Sequence, residues 1–192
     1  PCTYTVATTL AECVDVIRGI AMAAGLGAEF DYGSSHLHVA ARMAEVATGK
    51  SWNELFREIL GDPLGLSADV RYYTAPRLAL GAANPLVAGG LRASMQDYAK
   101  MLALIYHRGE HAGVSAGNTG LFELQRFDSY PDALIRSSPM ADAGWPFRYG
   151  LTAWLECDTP TTGCARLSSP GAFGFTPWFD RTKGYYAIIG AE

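Results

Sequence analysis

The chain has no apolar run near the ~20 residues that a spanning helix needs. The stretch from Ile20 to Phe30 is broken by Gly25, Gly27 and Glu29. Positive charge is in deficit as well: 15 Lys+Arg against 19 Asp+Glu leave a net charge of −4 over 192 residues. No cluster of basic residues interrupts that pattern to grip phosphate backbones or anionic lipid. Neither nucleic acid nor a membrane span is therefore expected. The sequence starts at Pro1, and any secretory leader is expected to have been removed or to lie outside these residues. Metal-ligand spacing is missing too. Cys2, Cys13, Cys157 and Cys164 form no paired C-x₂-C set, His36 and His38 stand two apart, and His107 and His111 are separated by Gly109 at a helix end. No metal or other cofactor is expected, and both histidine pairs read as exposed polar residues.

What is present is a chain with 49% hydrophobic residues, long enough to bury roughly 70% of its unfolded surface. With no internal repeats and no long linker, one domain over residues 1–192 is expected. Thr9-Leu-Ala-Glu12 is a capping box followed by Leu10, Cys13, Val14, Ile17 and Ile20 at helical spacing, which predicts a helix to about Ala24. Phe30-Asp-Tyr32-Gly33-Ser34-Ser35 is a short loop whose hydroxyls stand where they would cap the next helix, which runs to Gly49. Ser51-Trp-Asn-Glu54 is a second capping box, opening a short helix that ends at Gly61-Asp-Pro63. Residues 67 to 93, with Pro76 and Pro85, are irregular, and a further helix begins at Ser94 with Asp97 three residues on. A weaker helical stretch lies near Leu121 to Phe127. From Phe147 the character changes to short alternating or aromatic runs, Arg148 to Glu156, Ala165 to Ser168, Gly174 to Asp180 and Tyr185 to Ala191. These predict an antiparallel meander. Mostly helix over 1–146 and strand over 147–192, without βαβ alternation, is an α+β arrangement. The cysteines admit two readings: buried thiols, or a disulfide joining Cys157 to Cys164 across the turn Asp158-Thr-Pro160-Thr161-Thr-Gly163, which would imply an oxidising compartment.

Several motifs bear on chemistry. Gly113-Val-Ser115-Ala-Gly117 matches the nucleophile-elbow pattern, but no strand delivers the serine, so a flexible loop is the better reading. Ala47-Thr-Gly49-Lys50-Ser51 resembles a phosphate-loop tail but follows a helix, and reads as a helix boundary. Tyr32, in a Gly/Ser turn before a helix N-terminus, either has its phenol near backbone N–H donors that favour the phenolate or is a plain core or hairpin tyrosine, the commoner case for such a residue. Ser168-Ser169-Pro170-Gly171-Ala172-Phe173-Gly174 is a run of small residues that lets a ligand approach backbone, or is a plain bulge.

Taken together, five segments in order resemble the serine β-lactamase and penicillin-binding protein superfamily, specifically its class C-like, esterase-type branch. They are Phe30-Asp-Tyr32-Gly-Ser34; Glu45-Val-Ala-Thr-Gly49-Lys-Ser-Trp52; Asp62-Pro-Leu-Gly65-Leu66; Ala88-Gly-Gly-Leu91 with Asp97; and Ser168-Ser-Pro-Gly171-Ala-Phe-Gly174 leading to Trp178-Phe-Asp180. The resemblance implies an α+β fold of the β-lactamase/transpeptidase kind and attack by a serine on an ester or amide through an acyl-enzyme. It implies Tyr32 as the Y-x-N tyrosine, with Ser34 where asparagine is usual. It also implies Ser169-Pro170-Gly171 as the substrate-flanking K-T-G or H-x-G element, with the Ala172 N–H as an oxyanion donor. The motif S-x-x-K is missing: the residues three before Lys50, Lys100 and Lys183 are Ala47, Asp97 and Asp180. The resemblance thus implies a fragment that lacks its nucleophile and is inactive alone, or a binding module that keeps the groove. It further implies an open sheet edge that leads to self-association or needs a complementary N-terminal segment, and a periplasmic or secreted location.

Overall fold

The computed structural model describes residues 2–74, 83–158 and 162–190. Pro76, Pro160, Thr161 and Ala191, which the sequence reading places in loops or a strand, lie outside the described residues. In chain order the elements are α1 (Leu10–Arg18), β1 (Glu29–Asp31), α2 (Ser35–Thr48), α3 (Trp52–Phe56), β2 (Arg71–Tyr72), β3 (Leu91–Arg92) and α4 (Met95–Tyr106). They continue with β4 (Glu110–His111), β5 (Val114–Ser115), α5 (Thr119–Leu124), β6 (Leu134–Ser137), α6 (Pro139–Asp142), β7 (Arg148–Tyr149), β8 (Trp154–Leu155), β9 (Arg166–Ser168), β10 (Phe175–Asp180) and β11 (Tyr185–Gly190). The chain forms two compact units, residues 1–23 with 33–97, and residues 24–32 with 98–192.

The first unit is helical. Both expected capping boxes form, Thr9 with Glu12 on α1 and Ser51 with Glu54 on α3, each satisfying orphan N–H groups at a helix start. Helix α1 ends at Arg18, capped by Gly19, rather than near Ala24. The apolar periodicity runs on through Ile20 and Met22, but these side chains are exposed and have no core to hold a further turn. Leu10 and Val14 of α1 pack on Ala41 of α2, with Val39 and Trp52 around them. Gly49 closes α2 with φ of 72°, the left-handed cap expected of a helix boundary rather than a phosphate loop. Helix α3 continues into a π-helical turn over Arg57–Gly61. Ser94 accepts from the Asp97 N–H at 3.0 Å, and the Asp97 carboxylate in turn accepts from Ser94 and from Ser67 Oγ, fixing the start of α4. Cys2 and Cys13 are disulfide-bonded with Cα atoms 5.3 Å apart, a pairing the cysteine spacing did not single out.

The second unit holds a five-stranded antiparallel sheet in the order β11-β10-β9-β8-β7, the expected meander. The run from Arg148 to Glu156 is two short strands: Gly150 and Ala153 close a turn between β7 and β8, with the Gly150 N–H on the Ala153 carbonyl at 2.9 Å. A Cβ at Gly150 would lie 2.5 Å from the Gln125 carbonyl oxygen, so only glycine fits there. Leu155, Cys164, Leu167 and Phe179 of the sheet region bury their side chains against Leu102 of α4, with Ile105 and Tyr106 packed alongside. Cys157 and Cys164 are disulfide-bonded, with Cα atoms 5.7 Å apart, which settles the two readings of that pair. A separate two-stranded parallel sheet pairs β1 with β6, Phe30 opposite Ile135. Reading helices first and strands last overlooked it.

Candidate active site

Tyr32 directly follows β1, and its backbone N–H donates to the Ser137 carbonyl of β6 at 3.0 Å. Strand pairing, not a helix N-terminus, therefore positions it. Its ring stacks on Trp154 with centroids 5.2 Å apart and planes 28° apart, and meets the Tyr149 ring edge-on at 5.5 Å. Tyr149 and Trp154 are themselves edge-on at 4.7 Å, and Phe30 completes the cluster at 5.9 Å from Tyr149. Offset and edge-to-face rings of this kind lock one another's orientation. Trp154 is buried, whereas Tyr32 keeps 45% of its surface exposed. Burial pushes the Tyr149 phenol well above the usual tyrosine range, and the neighbouring Tyr32 phenol adds to that by Coulomb repulsion. Tyr149 is therefore held protonated, and Tyr32 is the more exposed of the two residues.

Arg148, adjacent to Tyr149, fastens the loop leading into β6. Its guanidinium donates to the Asp128 carboxylate at 2.6 Å and to the carbonyls of Tyr130 at 2.7 Å, Pro131 at 3.0 Å and Ala133 at 3.2 Å. An ion pair of Arg136 with Glu29 at 2.8 Å joins β6 to β1.

Trp154 also links Tyr32 to the second predicted motif, because it stands opposite Ser168 of β9. From Ser168 the chain enters a tight connection to β10. The Ser169 N–H donates to the Pro177 carbonyl at 3.0 Å, the Gly171 N–H to Phe175 at 2.8 Å and the Gly174 N–H back to Gly171 at 3.1 Å. A Cβ at Gly171 would press to 3.1 Å on the Phe175 carbonyl oxygen. Among the described residues the Ala172 N–H has no hydrogen-bond acceptor, and both Ser169 and Ala172 are exposed. The stretch is thus a tight connection at the ends of two interior strands of the sheet that leaves one amide donor open to a ligand.

Ser34 belongs to the first unit. It occupies the N-cap of α2 but its side chain makes no capping bond, contrary to the expected cap; its carbonyl accepts instead from the Leu37 and His38 N–H groups and faces His38 Nδ1 at 3.2 Å. His38 is fully buried, not exposed as expected, and burial lowers its pKa more than the Ser34 hydrogen bond raises it. Ser115 lies on β5 of a two-residue hairpin with β4, turned by Ala112 and Gly113 at φ of 51° and 81°, so it is neither an elbow nor a flexible loop.

Sequence reasoning reached Tyr32 and the Ser169–Ala172 segment but passed over Tyr149, Trp154 and Arg148, whose only local signal was an aromatic, strand-like run. Among the described residues no group of three or more His, Cys, Asp or Glu could hold a metal ion, and no helix is long and apolar enough to cross a membrane.

Comparison with protein-family models and with curated proteins returns no match. Solved structures do match. The chain aligns to a protein from Bacteroides dorei assigned as a β-lactamase with a TM-score of 0.82 and 29% identity, covering 96% of this chain and 56% of that one. A Bacillus anthracis protein assigned as a 6-aminohexanoate-dimer hydrolase aligns with a TM-score of 0.66 at 19% identity over 92% of this chain and 42% of its own. A penicillin-binding protein from Bacillus halodurans gives 0.67 at 13% identity over 98% and 59%. The chain thus spans about half the length of the structures it matches.

Proposed function

We propose that this chain, which carries part of the fold of the serine β-lactamase and penicillin-binding protein superfamily, is the proton-transfer and substrate-flanking portion of an acyl-serine hydrolase acting on an ester or amide. In this reading a serine hydroxyl attacks the substrate carbonyl, its proton passes to the Tyr32 phenolate as the carbon–oxygen bond forms, and the Tyr32 phenol returns a proton to the departing oxygen or nitrogen. Water then repeats the attack on the acyl-enzyme and frees the acid. Ser169 and Gly171 flank the substrate, and the Ala172 N–H points one donor at the developing oxyanion. Ser34 stands beside this in the sequence at the position where the motif usually has asparagine.

The observation that carries the reading is the partly exposed Tyr32 ring, stacked on Trp154 directly opposite the strand that leads to the open Ala172 amide. With no serine three residues before any lysine, the nucleophile would come from sequence outside these 192 residues, and the chain alone would be inactive. The two disulfides support an oxidising, periplasmic or secreted setting. The outer edge of β11, which among the described residues pairs with β10 alone and bears exposed Tyr185, Tyr186 and Ile189, supports self-association or a complementing segment.

Labelling with a fluorophosphonate and a fluorescent penicillin tests this. The isolated chain should take no label; adding a segment bearing S-x-x-K should place label on that serine, and Tyr32→Phe should slow labelling by about 10²–10⁴-fold. Covalent label on Ser115 of the isolated chain would overturn the reading. Specific binding of an ester or amide with no label under either condition would favour a non-catalytic binding module instead.

A further inference from the structure

We infer that Arg108, Arg126 and Arg181 form a binding site for a phosphate-type dianion at the C-terminal end of α4. The three stand far apart in the sequence, so no basic run marks them. The fold of the second unit brings them together. Arg108 Nε and Arg126 Nη1 donate to different oxygens of one carboxylate, that of Glu123, Arg126 at 2.7 Å. Arg126 Nε also donates to the Cys164 carbonyl at 2.9 Å, and the Arg181 backbone N–H donates to the next carbonyl, Ala165, at 3.0 Å. The Arg181 guanidinium then reaches the last turn of α4, donating to the carbonyls of Tyr106 at 3.2 Å and Ile105 at 3.0 Å. Arg108 follows directly on that turn. Its N–H donates to Ile105 at 3.0 Å and the Gly109 N–H to Leu104 at 2.8 Å, the paired bonds that close a helix around one left-handed residue. Glycine usually fills that position, but here Arg108 does, at φ of 60°. A long side chain kept in a conformation that ordinary residues avoid points to work for its guanidinium.

The charges in this cluster do not balance. Three guanidiniums meet one carboxylate, and the C-terminal dipole of α4 offsets about half a charge more. About one and a half positive charges remain, in a chain whose net charge is −4. A phosphate group, at about −1.5 to −2 near neutral pH, matches that surplus. The crowding acts on Arg181: burial and the Arg108 charge lower its pKa, Arg126 adds to the fall, and Glu123 opposes it. Donors are also to spare. Among the described residues Arg108 Nη1 and Nη2 and Arg126 Nη2 make no hydrogen bond. The Arg108 and Arg126 side chains keep 50% and 25% of their exposure, so solvent reaches both. Two planar forks flanking one carboxylate can share a tetrahedral oxyanion between them, with directed, charge-assisted bonds. Arg181 Nη1 is buried and unpartnered, so Arg181 acts on the anion through its charge rather than by contact.

Titration of the 192-residue chain with inorganic phosphate at constant ionic strength, read by calorimetry and by the arginine Nε–H resonances, tests this. Saturable binding at a single site, shifting the Arg108 and Arg126 signals, is expected. Arg108→Gln, at a half-exposed side chain, should weaken binding about tenfold with unchanged circular dichroism, the worth of a lost charge-assisted bond. Glu123→Gln should tighten it, because the carboxylate that competes for both guanidiniums is gone. Arg18→Gln, in the first unit, should leave the affinity as it is. Repeating the titration with glycerol 3-phosphate separates the two sources of such an anion: tighter binding than inorganic phosphate assigns the site to a phosphomonoester, weaker binding to the free ion. Absence of saturable phosphate binding below about 10 mM, an affinity unchanged in Arg108→Gln, or an equal loss in Arg18→Gln would overturn the assignment.

Discussion

Arg148→Ala should be among the most damaging single changes in the second unit, and the cost can be worked from its partners. The Arg148 and Asp128 side chains retain only 19% and 6% of their exposure. Removing the guanidinium strands the Asp128 carboxylate without its counter-ion and takes a donor from three carbonyls. Breaking a buried pair from one side costs about 3–5 kcal/mol, chiefly through the uncompensated charge left behind. Asp128→Asn leaves the guanidinium bonded to the carbonyls of Tyr130, Pro131 and Ala133, and should cost about 1–2 kcal/mol, the difference between a charge-assisted bond and a neutral one. The double variant should therefore be more stable than Arg148→Ala alone. Arg148→Lys should rescue little, because an ammonium cannot span a carboxylate and three carbonyls as the planar fork does. Urea unfolding at constant slope measures all four, and near-ultraviolet circular dichroism reports whether the Tyr32, Tyr149 and Trp154 rings lose their fixed orientation. Equal destabilisation by Arg148→Ala and Asp128→Asn, with additive effects in the double variant, would refute the buried-charge argument.

Three further outcomes follow. Because burial raises the Tyr149 pKa, the folded state keeps this proton while the unfolded chain loses it above pH ~10; stability should fall as pH rises past that value, and Tyr149→Phe should flatten the fall in alkaline denaturation curves. His38 has the opposite sign: its lowered pKa means that the unfolded chain takes up a proton first as pH drops through about 6.5, so stability should decline there, and His38→Asn should remove that share of the decline in acid urea titrations. Opening either disulfide, by Cys2→Ser with Cys13→Ser or by Cys157→Ser with Cys164→Ser, should cost about 2–3 kcal/mol from loop entropy, read as separate downward shifts of the thermal transition.

What could be read in the sequence was what is local. The capping boxes at Thr9 and Ser51 join residues three apart, and the strands of the meander alternate visibly and pair with their neighbours in order. Tyr32 and the Ser169–Ala172 stretch stood out because glycine and serine around them mark special backbone. Trp154, Tyr149 and Arg148 did not, because their role depends on β1 being brought to β6 from far along the chain, which no periodicity encodes. The burial of His38 and the Cys2–Cys13 bond were hidden for a related reason: a helix face and a short terminal turn acquire their neighbours only through packing. The end of α1 was misplaced because an apolar pattern continued where no partner surface exists.

The parallel contact of β1 with β6 also sets an order of events. The sheet from β7 to β11 closes between adjacent segments, whereas Glu29 must wait for Leu134, more than 100 residues later. Closing a loop that long costs about 4 kcal/mol of chain entropy before any contact repays it. On a ribosome, Tyr32 emerges early yet cannot settle until β6 has followed. The cluster on Trp154 should accordingly be a late arrival in refolding and an early departure under mild denaturant, so that amide exchange at residues 29–32 outpaces exchange at 175–180. Tyr32 should thus be held in place by a contact that closes late.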